Sequence, residues 1–299
     1  MRLYTVEHEG SERIMISYDG GKTAYLQEDL GFCFTDMTDL VCHADLKALK
    51  AGEQIAANAA AAGNALPVYD TASLKLHAPI VRPRQDVVCL GINYTEHAEE
   101  AGKYNKEAFG GDRPATIYFS KRVSYAPGHM EPVPSHADIV DRLDYECELG
   151  VILGKDAVRV KREDALDYVF GYTVINDISA RNLQTRHRQW YLGKGLDGFT
   201  PMGPCITTAD EIGDPEDLAI SCRINDELRQ NSNTGLMIQT IGGAIEELSA
   251  GMTLQAGTII AMGTPSGVGM GFDPPKFLKH GDVMHCYIEK IGELTNPID

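Results

Sequence analysis

The stretch Leu143-Asp144-Tyr145-Glu146-Cys147-Glu148-Leu149-Gly150-Val151-Ile152-Leu153 sets carboxylates on alternate residues with apolar groups between them. Read as one strand, it sends Asp144, Glu146 and Glu148 to one face and Tyr145, Cys147, Leu149 and Val151 to the other. Same-face neighbours then lie roughly 7 Å apart, at about 3.3 Å of rise per residue, near enough to share one cation. Like charges so placed repel, and no basic residue falls within the stretch to offset them. A half-buried strand with a wet acidic face is the plainer reading, and a bound divalent metal is the one that removes the repulsion. Asp177, which ends the strand-like run Phe170–Asn176, is a candidate third ligand.

A second constellation lies upstream. Asn93 to Gly102 reads as a short helix in which His97 and Glu100, three residues apart, share a face. A carboxylate beside an imidazole fixes its tautomer and raises its basicity, as a general base requires; an incidental surface histidine is the alternative. Ser179 to Trp190 reads as a polar helix carrying Arg181, Gln184, Arg186 and Arg188, the densest basic patch in the chain, and a solvated face accounts for most of it. Lys194 follows in the loop Gly193–Gly198, whose glycines let a ligand approach the backbone. The loop Gly263-Thr264-Pro265-Ser266-Gly267-Val268-Gly269 lacks the GxxxxGK[ST] spacing and a following helix, so it is not expected to cradle phosphate.

These residues need elements to hold them. Residues 1 to about 30 alternate polar and apolar around a turn at Asp19-Gly20-Gly21, the pattern of a small antiparallel unit. Leucine and alanine spacing from Asp39 to Ala62 predicts a helix broken or bent near Gly52. Residues 1–75 are therefore expected to form a small N-terminal α/β accessory domain without chemistry, and residues 76–299 the catalytic domain. There, Asp86–Gly91, Thr116–Ser120, Leu218–Ile224, Thr258–Met262 and Val283–Ile291 read as strands, and Thr234–Leu248 as an amphipathic helix. Many short strands and few long helices predict an α+β, β-rich fold.

Composition narrows the partners. The 299 residues carry a net charge of −16, which argues against a nucleic-acid backbone or an anionic membrane as partner. Seven scattered cysteines without a CxxC pair read as reduced packing residues. The first residues form no apolar leader and no run is long enough to span a membrane, so a cytoplasmic protein acting on a small molecule is expected.

Taken in order, Gly91-Ile92-Asn93-Tyr94 with His97, Asp144-Tyr145-Glu146-Cys147-Glu148-Leu149, Asn176-Asp177-Ile178-Ser179-Ala180-Arg181, Gly193-Lys194 and Gly263-Thr264-Pro265-Ser266-Gly267 resemble the fumarylacetoacetate hydrolase family, in its bacterial-type branch with a small N-terminal domain. The resemblance runs from about Val88 to Ile291. It implies a mixed β-sandwich roll, usually a homodimer, with a divalent metal, Mg²⁺ or Mn²⁺ first and Ca²⁺ as a further candidate. The implied metal ligands are Glu146, Glu148 and Asp177, and an all-oxygen set independently suits a hard cation. His97 and Glu100 are implied to lie on a lid and to activate water or move a proton, with Lys194 stabilising a developing enolate. Arg181, Gln184, Thr264 and Lys121 are implied to bind substrate, although the family often has Lys-Pro where this chain has Lys121-Arg122. The implied reaction is hydrolytic cleavage of a carbon–carbon bond in an acylpyruvate-type 2,4-dioxo acid through an enolate held at the metal. The alternatives are isomerisation (tautomerisation) or decarboxylation of a 2-hydroxydiene dioate or oxaloacetate, and, more remotely, a non-catalytic metal-binding module.

Overall fold

The computed structural model describes residues 1–109, 115–187 and 189–299. Residues 110–114 of the segment Ala101–Pro114, and Arg188 of the basic patch, lie outside them. The N-terminal strands are β1 (Arg2–His8), β2 (Ser11–Ser17), β3 (Thr23–Leu26), β4 (Tyr69–Asp70) and β5 (Lys75–Leu76), followed by β6 (Val87–Gly91) and β7 (Ile117–Lys121). The middle of the chain supplies β8 (Leu143–Asp144), β9 (Cys147–Leu153), β10 (Val169–Asn176), β11 (Ser179–Ala180) and β12 (Met202–Thr208). The remainder are β13 (Ala219–Ile224), β14 (Glu227–Asn233), β15 (Ile259–Ala261), β16 (Val283–Ile288) and β17 (Gly292–Pro297).

Eleven of them form one sheet in the order β4-β3-β2-β1-β12-β10-β9-β15-β6-β7, with β5 also on β1. The β15–β6 pair is parallel and its neighbours are antiparallel, so the sheet is mixed. A second, antiparallel sheet, β14-β13-β16-β17, packs on the middle of the first. Leu149 and Val151 of β9 and Val174 of β10 meet Ile220 and Cys222 of β13 and Cys286 of β16 in one buried cluster. The other face of the large sheet, including Ile152, Ile175 and Cys89, is covered by Leu40, Val41 and Leu49 from the N-terminal helices. With both faces covered, β9 and β10 are buried at every residue. This is the β-rich α+β architecture expected from the strand pattern. Residues 1–75 join the large sheet through β1, whose Arg2 and Leu3 pair with Thr207 and Ile206 of β12.

Local departures from the expected elements have identifiable causes. The first helical region breaks at Ala44-Asp45, not at Gly52, because Asp45 caps a new helix, Leu46–Ala61, by accepting from the Lys47 N–H at 2.9 Å. The stretch Leu143–Leu153 is not one strand: Tyr145 and Glu146 interrupt it, and β8 pairs with β11 outside the large sheet. Thr234–Leu248 divides into a short turn of helix at Thr234–Leu236 and a helix at Ile241–Ser249, capped by the Thr240 hydroxyl on the Gly243 N–H. The polar segment Ser179–Trp190 holds a helix only over Arg181–Arg186, and Lys194 ends a separate short helix, Tyr191–Lys194, where a loop was expected. No helix among the described residues is long and apolar enough to cross a membrane.

Candidate active site and metal centre

The ladder between β9 and β10 brings the acids together. Glu148 pairs with Ile175 and Cys147 with Asn176, so Asp177 falls beside Glu146, where its N–H donates to the Glu146 carbonyl at 2.8 Å. The side chain of Asn176 accepts from the Glu146 N–H at 3.0 Å and fixes the interruption between β8 and β9. One carboxylate oxygen from each of Glu146, Glu148 and Asp177 then lies within 4.8 Å of the other two. None is wet: the three are 5%, 1% and 0% exposed, which replaces the solvated acidic face by a buried cluster.

Asp144 does not share this cluster, although alternation along a continuous strand would put it there. The interruption turns it away, and its carboxylate accepts from the N–H groups of Gly269 (2.7 Å) and Met270 (3.0 Å) and from Arg181 Nε (2.9 Å). Arg181 bridges the two groups of acids, since its Nη1 lies 2.7 Å from Glu146. Lys194 Nζ lies 2.6 Å from Glu146 and 2.7 Å from Asp177, and 5.2 Å from the centre of the Phe119 ring. Lys121, carried over as a substrate-binding residue, stands instead behind Asp177, bonded to its carboxylate and to the Ile178 carbonyl. It is not among the residues lining the cavity.

Among the described residues, the buried Asp, Glu, Lys and Arg side chains are Asp144, Glu146, Glu148, Asp177, Lys121, Arg181 and Lys194, and all converge here. Four carboxylates against three cations leave one negative charge in excess. The excess falls on Glu148, which has no ion pair among the described residues and accepts only the Gly263 N–H, at 2.8 Å. Burial, then the like charges of Asp177 and Glu146, push its carboxyl well above the usual range. Burial acts in the same sense on Glu146, but Lys194 and Arg181 outweigh it and hold that carboxyl well below the usual range. The two lysines diverge: burial lowers Lys121 despite Asp177, whereas on Lys194 the pull of Asp177 and Glu146 overcomes burial and raises it. A buried, all-oxygen, net-negative cluster with one carboxylate lacking a counter-charge fits a hard divalent cation held by Glu146, Glu148 and Asp177.

His97 and Glu100 approach from the helix Thr95–Tyr104. His97 is buried, with Nδ1 at 3.1 Å from Glu100 Oε2. Glu100 Oε1 accepts from the Gly267 N–H at 3.0 Å, and Glu96 accepts from the Ser266 hydroxyl at 3.1 Å, so this helix is docked on the loop Thr264–Gly271. Gly271 makes that docking possible, because a Cβ there would sit 1.9 Å from a Glu100 oxygen. His97, Glu146, Glu148, Arg181, Gln184, Lys194 and Thr264 line one cavity of about 20 Å³, little more than one water's room. Gln184 meets Arg181 Nη1 at 3.1 Å, while Arg181 Nη2 is buried without a partner among the described residues. Thr264 donates to the Cys147 carbonyl (2.9 Å) and accepts from Gln230 (2.7 Å), so its hydroxyl is committed to the scaffold here.

Gln230 was not singled out in the sequence, yet it organises the site. Its amide spans Thr264 and the Pro265 carbonyl (2.8 Å), and its oxygen accepts from the Cys147 N–H at 3.1 Å, tying the glycine-rich loop to the start of β9. Its setting in the polar run Gln230-Asn231-Ser232-Asn233 of β14 gave no signal of this.

The β-rich sandwich encloses a cluster of three acids that could hold a divalent cation, with a histidine–carboxylate pair beside it in the same cavity, the arrangement of an enzyme active site. The chain belongs to the fumarylacetoacetate hydrolase family: the family model for the fumarylacetoacetate (FAA) hydrolase C-terminal domain matches residues 86–299. It is 48% identical over 231 residues to oxaloacetate tautomerase YisK of Bacillus subtilis (strain 168), across 77% of this chain and 75% of that protein. Its fold is similar to that of a fumarylacetoacetate hydrolase from psychrophilic Exiguobacterium antarcticum, with TM-score 0.81, 34% identity, and coverage of 100% of this chain and 99% of that one. It is also similar to maleylpyruvate hydrolase from Sphingobium sp. SYK-6 in complex with manganese (II) ion and pyruvate, with TM-score 0.74, 28% identity, and coverage of 100% and 98%. Enzymes of this family include hydrolases, isomerases and tautomerases.

Proposed function

We propose that this protein is a divalent-metal-dependent tautomerase that interconverts the enol and keto forms of a small 2-oxo diacid of the oxaloacetate class. The observation that carries this reading is one acid–base group, His97, on the wall of a cavity whose other ionisable side chains among the described residues are ion-paired (Glu146, Arg181, Lys194) or a candidate metal ligand (Glu148). Keto–enol exchange needs one such group, used alternately as base and acid. The 48% identity to an oxaloacetate tautomerase supports this reading over carbon–carbon hydrolysis.

Glu146, Glu148 and Asp177 would hold a divalent cation, which would supply Lewis-acid polarisation of the 2-oxo group and affinity for the adjoining carboxylate. His97 Nδ1–H donates to Glu100, which leaves Nε2 as the basic nitrogen. In the keto-to-enol direction Nε2 takes a proton from C3 and delivers it to the C2 oxygen; in the reverse direction it takes the proton from that oxygen and gives it to C3, so no atom is gained or lost. Lys194, its charge stabilised by Asp177 and Glu146, faces the negative oxygen that develops at C2. The unpartnered Nη2 of Arg181 receives a substrate carboxylate. Because the cavity holds little more than one water, a four-carbon diacid is admitted only when the helix Thr95–Tyr104 lifts from the loop, breaking the Glu96–Ser266 and Glu100–Gly267 contacts.

The test is to follow enol absorbance of oxaloacetate with metal-stripped protein, with and without added Mg²⁺ or Mn²⁺, and to identify the products. Metal-dependent exchange with oxaloacetate recovered intact supports the proposal. Release of CO₂ and pyruvate would reassign the protein as a decarboxylase. A second reading, hydrolysis of an acylpyruvate with His97 activating water, draws on the structural likeness to maleylpyruvate hydrolase. Metal-dependent formation of pyruvate and a free acid from an acylpyruvate would favour it.

A further inference from the structure

Ile92 follows β6 directly and has φ +56°, a conformation that β-branched side chains strongly disfavour. Its neighbours enforce it. On one side Gly91 is locked into the ladder opposite Ile117 of β7. On the other, Asn93 Nδ2 donates to the carbonyls of Gln239 (3.0 Å) and Met262 (2.8 Å), and its Oδ1 accepts from the Gln239 N–H at 2.7 Å. The turn between these anchors falls on Ile92 alone. Its side chain packs against Ala101, Val268 and Met270, beside the helix that carries His97.

Gly91 and Ile92 line two cavities at once: the catalytic one, and a larger one of about 270 Å³ whose far walls include Thr116, Ile117, Ile238 and Gln239. Among the described residues, none in the lining of the larger cavity has an ionisable side chain. The acid closest to it in the hydrogen-bond network, Glu247, accepts from Gln239 Nε2 (3.1 Å) and Tyr118 Oη (2.7 Å), which puts negative charge behind that wall. An alkyl or aryl chain there meets Ile117 and Ile238, whereas a terminal carboxylate meets no cation among the described residues and faces Glu247.

We infer that this side cavity is a subsite for an uncharged chain extending from a 2-oxo acid, and that the strained Ile92 is the partition that sets what passes from the catalytic cavity into it. The inference rests on the 2-oxo acid reading above and adds a substrate class to it: monoanionic 2-oxo acids with an apolar tail, alongside oxaloacetate.

Direct binding to the Mg²⁺-loaded full-length protein tests this without relying on turnover. Calorimetric Kd values are compared for pyruvate, 2-oxooctanoate and the equally long diacid 2-oxosuberate. 2-Oxooctanoate is expected to bind at least about tenfold more tightly than pyruvate, since each buried methylene contributes several-fold. 2-Oxosuberate is expected to show no such gain. Thr116→Trp, which fills the subsite, removes the chain-length gain, and Ile92→Gly, which deletes the partition at a backbone angle glycine tolerates, extends tight binding to the bulkier phenylpyruvate. Equal affinities for pyruvate and 2-oxooctanoate, or equal gains for the monoacid and the diacid, would overturn the inference while leaving the 2-oxo acid site standing. Failure of every 2-oxo acid to bind would overturn both.

Discussion

His97 and Glu100 form a hydrogen-bonded pair one helical turn apart, with Nδ1 and Oε2 at 3.1 Å, and the free Glu100 oxygen is fastened to the Gly267 N–H. The imidazole is thus oriented by the helix that carries it and by the loop over the acidic triad. His97→Gln is expected to lower kcat for oxaloacetate enol–keto exchange by about 10²–10⁴ while Mg²⁺ binding, measured by calorimetry, is retained. An unchanged kcat would remove the pair from the reaction.

Gly271 controls the same pair from outside. A Cβ at this position collides with the Glu100 carboxylate, so Gly271→Ala is expected to displace Glu100 and lower kcat about as far as Glu100→Gln does. The far-ultraviolet circular dichroism should match wild type, because the collision is with a side chain.

Glu148 gives the site a pH signature. Its folded-state carboxyl titrates above the ordinary value of 4.5, so the metal-free native protein holds a proton that the unfolded chain releases above that pH. The associated stability is full below about 4.5 and is lost as pH rises toward the folded-state value. Glu148→Gln mimics the protonated form. In chelator-treated samples, Glu148→Gln is therefore expected to melt above wild type by a margin that opens above about pH 4.5 and widens toward neutrality. Added Mg²⁺ should raise the melting temperature of wild type and not of the variant.

Lys121 is a positioning residue for Asp177. Lys121→Met leaves a fully buried carboxylate with one cation in place of two, and is expected to cost about 3 kcal/mol in urea denaturation of the metal-free protein. Because Lys121 competes with a cation for Asp177 and does not line the cavity, its loss should tighten Mg²⁺ binding and leave KM at saturating metal little changed.

The sequence by itself determined a good part of this protein. Alternating short apolar runs specify a β-rich fold, since side chains of period 2 can be buried only on sheet faces. The i, i+3 spacing of His97 and Glu100 specifies their pairing, because that contact is local to one helical turn. Glu146 and Glu148 could be read as an acidic pair with Asp177 as a partner for the same reason: each sits on a strand or at its end, and strand geometry is short-range.

Tertiary structure decided the rest. Whether the acids are wet or buried depended on both faces of the large sheet being covered, by β13 and β16 on one side and by the N-terminal helices on the other. Which carboxylates meet depended on the interruption at Tyr145 and Glu146, which sends Asp144 to Arg181 and the Gly269 and Met270 amides while the β9–β10 register sets Asp177 beside Glu146. Lys121 and Gln230 acquire their roles from partners 56 and 34 residues away, Asp177 and Thr264. The strain at Ile92 arises from anchors at Gln239 and Met262. Contacts between residues so far apart are fixed by strand order and sheet packing, and no local pattern of residue types encodes them.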